Sequence, residues 1–282
     1  MPIKQITAPA AAPFDVAEAR LHVRQDITDD DAKLASLARA VAQFAETETW
    51  RAVVASRWEQ SLDSFPGPSL VGVPYGRTYS LPGHAILLER SPLIQVVSIQ
   101  YMDMAGAWQT MAPEDYVVDD SGPVPRITPI FGKIWPINRP QIGSVKVTFD
   151  AGYAAPLTAD ATANTITVRG WKTLAVDDVL RLTNSGGALP APLQPDTDYY
   201  VVAVPAAGTY QLAATKGGSA IDIADAGGGK HYLGAVPDGL KAWMFVRLDS
   251  LYVHRGEAAI VQGKLEPLPY IDRLLDPFKV TM

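Results

Sequence analysis

Asp26, Thr28 and Asp30 place oxygen-bearing side chains at alternate positions, as a calcium loop begins. Such a loop next needs glycine at its sixth position for the sharp turn and glutamate at its twelfth for bidentate ligation. The chain has Asp31 and Leu37 there, so the acidic run reads as the capped first turn of a helix. Gly227-Gly228-Gly229-Lys230 has the make-up of a phosphate-cradling loop, in which backbone amides and a lysine hold phosphate oxygens. The glycine required five residues before the last one is Ala224, and Lys230 is followed by His231 rather than Ser or Thr. A turn between strands is the plainer reading. The four histidines, His22, His84, His231 and His254, have no partner at metal-ligand spacing, and neither HExxH nor Gly-x-Ser-x-Gly occurs. His254, beside Arg255, suits the negative end of a helix. Glu114 and Asp115 sit in turn-like sequence that implies no apolar pocket. With no cysteine, disulfides, thiolate metal sites and thiol nucleophiles are excluded. No catalytic, metal-binding or cofactor-binding residue is therefore assigned.

Side chains suited to binding another protein are easier to find. Tyr75, Tyr79 and Trp135 lie in Pro/Gly-rich stretches, where exposed aromatics anchor interfaces; the bland alternative is that they fold back on their own sheet. Arg139 shares the stretch of Trp135. Glu46 and Glu48 stand at the end of a helix, where the dipole disfavours them. A basic partner would explain them, but a solvated helix end is the plainer reading. Phe278 follows the last helical segment. These seven residues are the candidate interface.

The elements that must position them follow from periodicity. Phe14 to Val23 reads as a short helix capped by Asp15. A longer one spans 29–49, capped by Thr28, with Leu34, Leu37, Val41 and Phe44 as its apolar stripe and alanines beside it. Strands are expected over 53–62, 85–88, 96–102, 116–118 and 145–149, separated by turn residues. Two long Pro/Gly loops, 63–83 and 119–143, look too large to be mere turns. A third helix begins at Pro237, with Leu240, Trp243, Met244, Leu248, Leu251 and Tyr252 apolar and Gly256 at its end. A last one runs from Pro269 and stops before Pro277. The first 13 residues are Ala/Pro-rich and are expected to form a flexible arm.

The chain has 282 residues, 48% hydrophobic and 19% charged, an ordinary globular make-up with enough length for a sizeable core. The N-terminus lacks the apolar stretch of a signal peptide, and no run approaches the ~18 apolar residues of a membrane span. A soluble chain without membrane contact is expected. Net charge is −6 with Lys and Arg scattered, which disfavours tight binding to nucleic-acid phosphates.

Composition shifts after Pro156. Residues 157–235 are rich in Ala, Gly, Thr and Asp, with strands expected at 165–168, 179–182, 198–204 and 209–212: a small all-β unit of about 75 residues. Its flanks, VTFDAGYAA (147–155) and VPDGLKAWMFVRLDSLYVHRGE (236–257), read as one continuous pattern when joined. Joined so, the chain resembles the head–tail connector proteins (adaptor or head-completion proteins) of long-tailed phages and gene transfer agents. That family's pattern is a strand ending in AGY, a Val-Pro-x-x-Leu-Lys helix and a His/Tyr-x-x-Arg end. Other pieces fall in family order: 14–49 resembles the opening helix pair, ILLERSPLIQVVSIQYMD (86–103) a Pro-x-x-x-Val-x-Ser-Ile-x-Tyr strand, EDYVVDDSGPVPRI (114–127) an Asp-Tyr-x-Val-Asp hairpin, and LEPLPYIDRLLDPF (265–278) the closing helix. The resemblance covers residues 14–155 and 236–278, each piece weakly specific and the order carrying the weight. The 157–235 segment departs from the shorter members and looks like a β module that recurs in phage structural proteins.

The expected architecture is thus α+β. A small helical bundle packs with an antiparallel sheet bearing long loops (14–156 plus 236–282), and an all-β domain is inserted at 157–235. The resemblance implies a non-enzymatic subunit of a ring of about twelve copies in the virion neck, made in the host bacterial cytoplasm. Its partners would be the portal protein, a tail-side stopper or tail terminator, and double-stranded DNA that passes without specific binding. Two other readings stay open: a β-rich module recognising a carbohydrate or host surface through 157–235, and an unrecognised hydrolase, which would need a polar pocket with perturbed titrating groups.

Overall fold

The computed structural model describes residues 2–67, 84–254 and 271–280. The fold is α+β, and contacts gather the chain into two compact units: Met1–Ala8 with Ser56–Gly152, and Pro9–Ala55 with Tyr153–Met282.

The first unit is antiparallel sheet. Strands β1 (Ile3–Thr7), β2 (Ser56–Leu62), β3 (Ile86–Leu87), β4 (Leu93–Met102), β5 (Trp108–Thr110), β6 (Tyr116–Asp119), β7 (Arg126–Pro129) and β8 (Val145–Ala151) form two sheets, ordered β1-β2-β8-β4-β5 and β3-β7-β6. Alternation along β8 puts Val145, Val147, Phe149 and Ala151 in the core, and Lys146, Thr148 and Asp150 on the other face. There Asp150 accepts two hydrogen bonds from Arg57, at 2.7 and 2.9 Å, and a third from Gln95 at 2.8 Å. Buried Gln60 ties the two sheets together, donating to Leu87 O at 2.7 Å and accepting from Glu89 N at 3.0 Å. The N-terminal segment expected as an arm holds β1, which pairs with β2. The 119–143 stretch expected as one loop contains β7, registered with both β6 and β3. Its short Arg-Ile-Thr-Pro run lies among prolines, which mask strand alternation.

The second unit combines three helices with a closed barrel. Helices α1 (Val16–Val23), α2 (Asp31–Thr49) and α3 (Asp238–Val253), with a 3-10 helix at Asp272–Phe278, enclose one core of Phe14, Leu34, Val41, Trp243, Met244 and Leu248. The buried stripe of α2 is Leu34, Ala38, Val41 and Ala45, whereas Leu37 is half-buried and Phe44 exposed. The expected stripe is corrected by this rotation: the small alanines face inward because they let α3 approach closely. The α2 cap is Asp30, not Thr28; it makes no side-chain cap bond, and its carboxylate accepts from Tyr252 Oη at 2.6 Å. Val53 and Val54, expected to open a strand, are instead buried in the helical core. The last helix runs through Pro277, since a 3-10 turn loses a single hydrogen bond to a late proline. Gly256 lies outside the described residues.

The barrel consists of β9 (Ala154–Asp160), β10 (Thr165–Val168), β11 (Val179–Ser185), β12 (Asp198–Ala206), β13 (Thr209–Ala213) and β14 (Lys230–Gly234), closed in the order β10-β13-β12-β11-β14-β9. Ile166, Leu182, Val201, Tyr210 and Leu212 fill it. Closure leaves no free edge to pair with another chain.

Candidate functional site

The positions that suggested chemistry are occupied by structural work. Asp26 and Thr28 lie in the turn between α1 and α2, where Thr28 O accepts from Asp31 N at 3.1 Å. The glycine loop is packed rather than open: Gly227 N donates to Asp225 Oδ1 at 2.8 Å and Gly228 N to Ala188 O at 2.9 Å. His231 holds this loop from inside the barrel. Its Nδ1 lies 2.9 Å from Asn184 Nδ2 and its Nε2 3.0 Å from Ala226 O. The amide donates to Nδ1, so Nε2 carries the proton and donates to the carbonyl. His22 stacks on Phe245 with ring centroids 5.0 Å apart, His84 precedes β3, and His254 ends α3. Glu114 and Asp115 form a surface 3-10 turn in which Asp115 pairs with Lys133. Among the described residues no group of three or more His, Asp or Glu is placed to hold a metal ion, and no helix is long and apolar enough to cross a membrane.

Perturbed titrating groups are present but are explained by neighbours. Asp119, at the end of β6, is held down at about 2, first by the Ser121 hydroxyl, then by the Ser121 amide and Arg126. Burial pushes the Tyr232 phenol up, and the negative charges of Asp15 and Glu18 push it further.

Those carboxylates belong to a polar seam where the barrel meets the helices inside the second unit. Ser185 Oγ accepts from Asp15 N at 2.6 Å and donates to Glu18, and Glu18 also pairs with Lys241 at 2.6 Å. Tyr232 Oη donates to Ala12 O at 2.6 Å. Gly186 makes the approach feasible. Its φ is +79°, and a Cβ there would lie 2.6 Å from Asp15 Cβ. A hollow of about 390 Å³ opens beside the seam, lined by Asp196, Asp238 and Lys241 among others. Each of these seam groups has a partner that fixes it, so the arrangement latches the barrel to the helices.

The candidate interface residues fall in different places. Trp135 is buried, stacked on Phe65 at 4.8 Å, and its Nε1 donates to His84 O at 2.6 Å. Its contacts are thus internal to the first unit. Arg139 is exposed in the same stretch. Glu46 is not at a solvated helix end. It is buried, and its Oε1 accepts from Val53 N at 2.9 Å, so the carboxylate caps the chain that leaves α2. Glu48 is exposed. Phe278 packs against the helical core, and its carbonyl accepts from Arg51 Nε at 2.7 Å. Tyr75 and Tyr79 lie outside the described residues.

The most exposed apolar side chains are ones that aromatic content alone passes over, except Phe131. In the stretch following β7, Phe131 is 103% exposed, Ile134 86%, Ile137 79% and Ile142 88%. A signal existed: IFGKIWPINRPQIG repeats large apolar residues between prolines and glycines, without the alternation that would bury them in a strand. A second exposed apolar pair, Leu21 at 79% and Ile27 at 55%, flanks the turn between α1 and α2. Large exposed apolar patches mark interaction surfaces, which makes these two stretches the candidates for one.

No protein-family model matches the chain, and no curated protein matches it. Among solved structures it shares its fold with a chain in the neck of an empty gene transfer agent particle, computed with C6 symmetry (TM-score 0.55). It shares it likewise with chains in the native particle's virion (0.56) and in the native neck computed with C12 symmetry (0.54). Each match is 16% identical in sequence and covers 100% of this chain and 97% of the other.

Proposed function

We propose that this chain is a structural, non-enzymatic subunit of the head–tail connector ring in a virion neck. It docks on the portal vertex and offers a platform for a stopper or tail terminator, while double-stranded DNA passes through the channel. The carrying observation is the likeness of fold along the whole chain to chains of a neck computed with twelvefold symmetry. The ordered pieces of sequence similar to connector proteins point the same way. In this reading residues 157–235 are a β module inserted relative to the shorter connector proteins.

Charge supports a passive channel. A ring of twelve copies at −6 each carries about −70 formally, and a like-charged wall does not retain DNA through its phosphates. Mass photometry and negative-stain microscopy of the purified chain, alone and with its portal protein, test the reading. Rings seated on the portal are expected; monomers that never join a portal would refute it.

A second reading, carbohydrate or host-surface recognition by the barrel, has one feature in its favour. A hollow of about 530 Å³ lies on the barrel, with Thr158, Thr167, Arg169 and Lys230 among its lining. Against it, Tyr199, Tyr210 and Tyr232 are buried, and the half-buried Tyr200 and Trp171 are not among the residues lining that hollow. A glycan array probed with the full chain separates the two readings.

A further inference from the structure

We propose that residues 130–142 of one copy seat on the turn between α1 and α2 of the next copy, and that this contact links the subunits. The inference rests on the ring reading above and names the surfaces that would make the ring. A cyclic assembly needs two different patches that fit each other, because a head-to-tail contact uses one face of each subunit. The two most exposed apolar features of the described residues differ in charge in the way such a pair requires.

The 130–142 stretch is apolar and basic. It presents Phe131, Ile134, Ile137 and Ile142 to solvent. It contains Lys133 and Arg139 and no acidic residue. Lys133 is already paired with Asp115, which leaves Arg139 as its charge without an ion pair among the described residues. The stretch thus bears +2 in a chain of −6, so the remainder carries −8.

The turn between α1 and α2 is apolar and acidic. Leu21 and Ile27 are exposed beside Asp26, Asp29, Asp30 and Asp31. Asp31 pairs with Arg20 and Asp30 takes the Tyr252 hydroxyl. Asp26 and Asp29 form no ion pair among the described residues. An apolar ridge with an exposed guanidinium and an apolar turn with two exposed carboxylates match in both hydrophobicity and charge. Neither is covered by the described residues of its own chain.

The absence of native cysteine permits a direct test. The double variant Ile27→Cys/Ile134→Cys, oxidised under mild conditions, is expected to give a ladder of disulfide-linked species on a non-reducing gel. Each single variant should stop at a dimer. Arg139→Glu should weaken association at least tenfold, and adding Asp29→Arg should restore it; both positions are on the surface, so folding is not at stake. Rings without a ladder would overturn the contact while leaving the connector reading intact. A cross-link within one chain, or no ladder from a chain that stays monomeric, would overturn the contact too, and portal binding would then judge the connector reading separately.

Discussion

Gly186→Ala tests whether the barrel is latched to the helices or merely tethered to them. At φ +79° any residue but glycine is strained, which costs about 1–2 kcal/mol. The added methyl would also sit 2.6 Å from Asp15 Cβ, an atom rooted in the backbone at the start of α1. Relief needs an opening of about 1 Å, and the hydrogen bonds of Ser185 to Asp15 N and to Glu18 lie across that gap. Weakening these two, one of them to a charged group, adds about 2–3 kcal/mol. Gly217→Ala is the matched control. Its φ is +69°, and nothing lies within 4 Å of the added methyl, so it incurs the strain alone. The expected totals are about 3–5 kcal/mol for Gly186→Ala and about 1–2 kcal/mol for Gly217→Ala.

Calorimetry of the two variants reads the difference as about 5–10 °C in the midpoint of the unit that contains the barrel. Hydrogen exchange adds a spatial readout: the start of α1 should lose protection in Gly186→Ala and keep it in Gly217→Ala. Equal destabilisation by the two substitutions would refute the latch, because it would show that backbone strain is the whole effect.

Arg57 and Asp150 form a pair with the carboxylate buried and the guanidinium partly solvated. Arg57→Ala should cost about 2–4 kcal/mol, and a double-mutant cycle with Asp150→Ala in urea should show coupling of at least about 1 kcal/mol. Glu46→Ala strands the buried Val53 N–H and should cost about 1–3 kcal/mol, whereas Glu46→Gln, which keeps an acceptor, should cost much less. Asp119 titrates at about 2, below its ordinary value of about 3.9. Its contribution to the β6–β7 hairpin is therefore full above about pH 4 and disappears as pH falls through about 2. A carboxylate NMR titration should place the midpoint there, and Ser121→Ala should move it upward.

Much of this architecture is legible in the sequence because local rules and tertiary contacts agree. The α2 and α3 patterns have helical spacing, and β8 alternates cleanly. Legibility fails where a neighbour far along the chain decides. Phe44 looks like core by spacing, yet α3 selects the alanine face of α2. Glu46 looks like a solvated helix end until Val53 returns its amide to it. Asp30 rather than Thr28 starts α2, with its carboxylate held by Tyr252, 222 positions away. Of the candidate interface, the aromatic criterion selected Trp135, which the fold consumes internally, because indole size suits a core as well as an interface. Exposure depends on whether a residue has a sheet to fold onto, and for Ile137 and Ile142 no local pattern reveals that.

The barrel's ends carry the argument for insertion further. Ala154 and Gly234 are register partners on adjacent strands, β9 and β14, so the chain departs and returns at neighbouring points about 5 Å apart. Such geometry is what an inserted module needs, since its removal leaves a gap that a turn can close. The make-up of the helical core favours the same proposal. Its buried members come from residues 12–54 and 240–275, and none comes from a barrel strand. Replacing residues 156–232 by a two-residue Asn-Gly turn, which joins antiparallel strands readily, should therefore leave a folded chain. Trp243 should remain buried, which hydrogen-exchange protection along α3 reports. Some stability is lost with the Ser185 and Tyr232 bonds, about 1 kcal/mol for each neutral one. A shortened chain that keeps its helical circular dichroism and still forms rings would show the barrel to be an addition to a complete connector body. Collapse to an unfolded chain would mean that the helices depend on the barrel for their structure, and the two would have to be regarded as one inseparable domain.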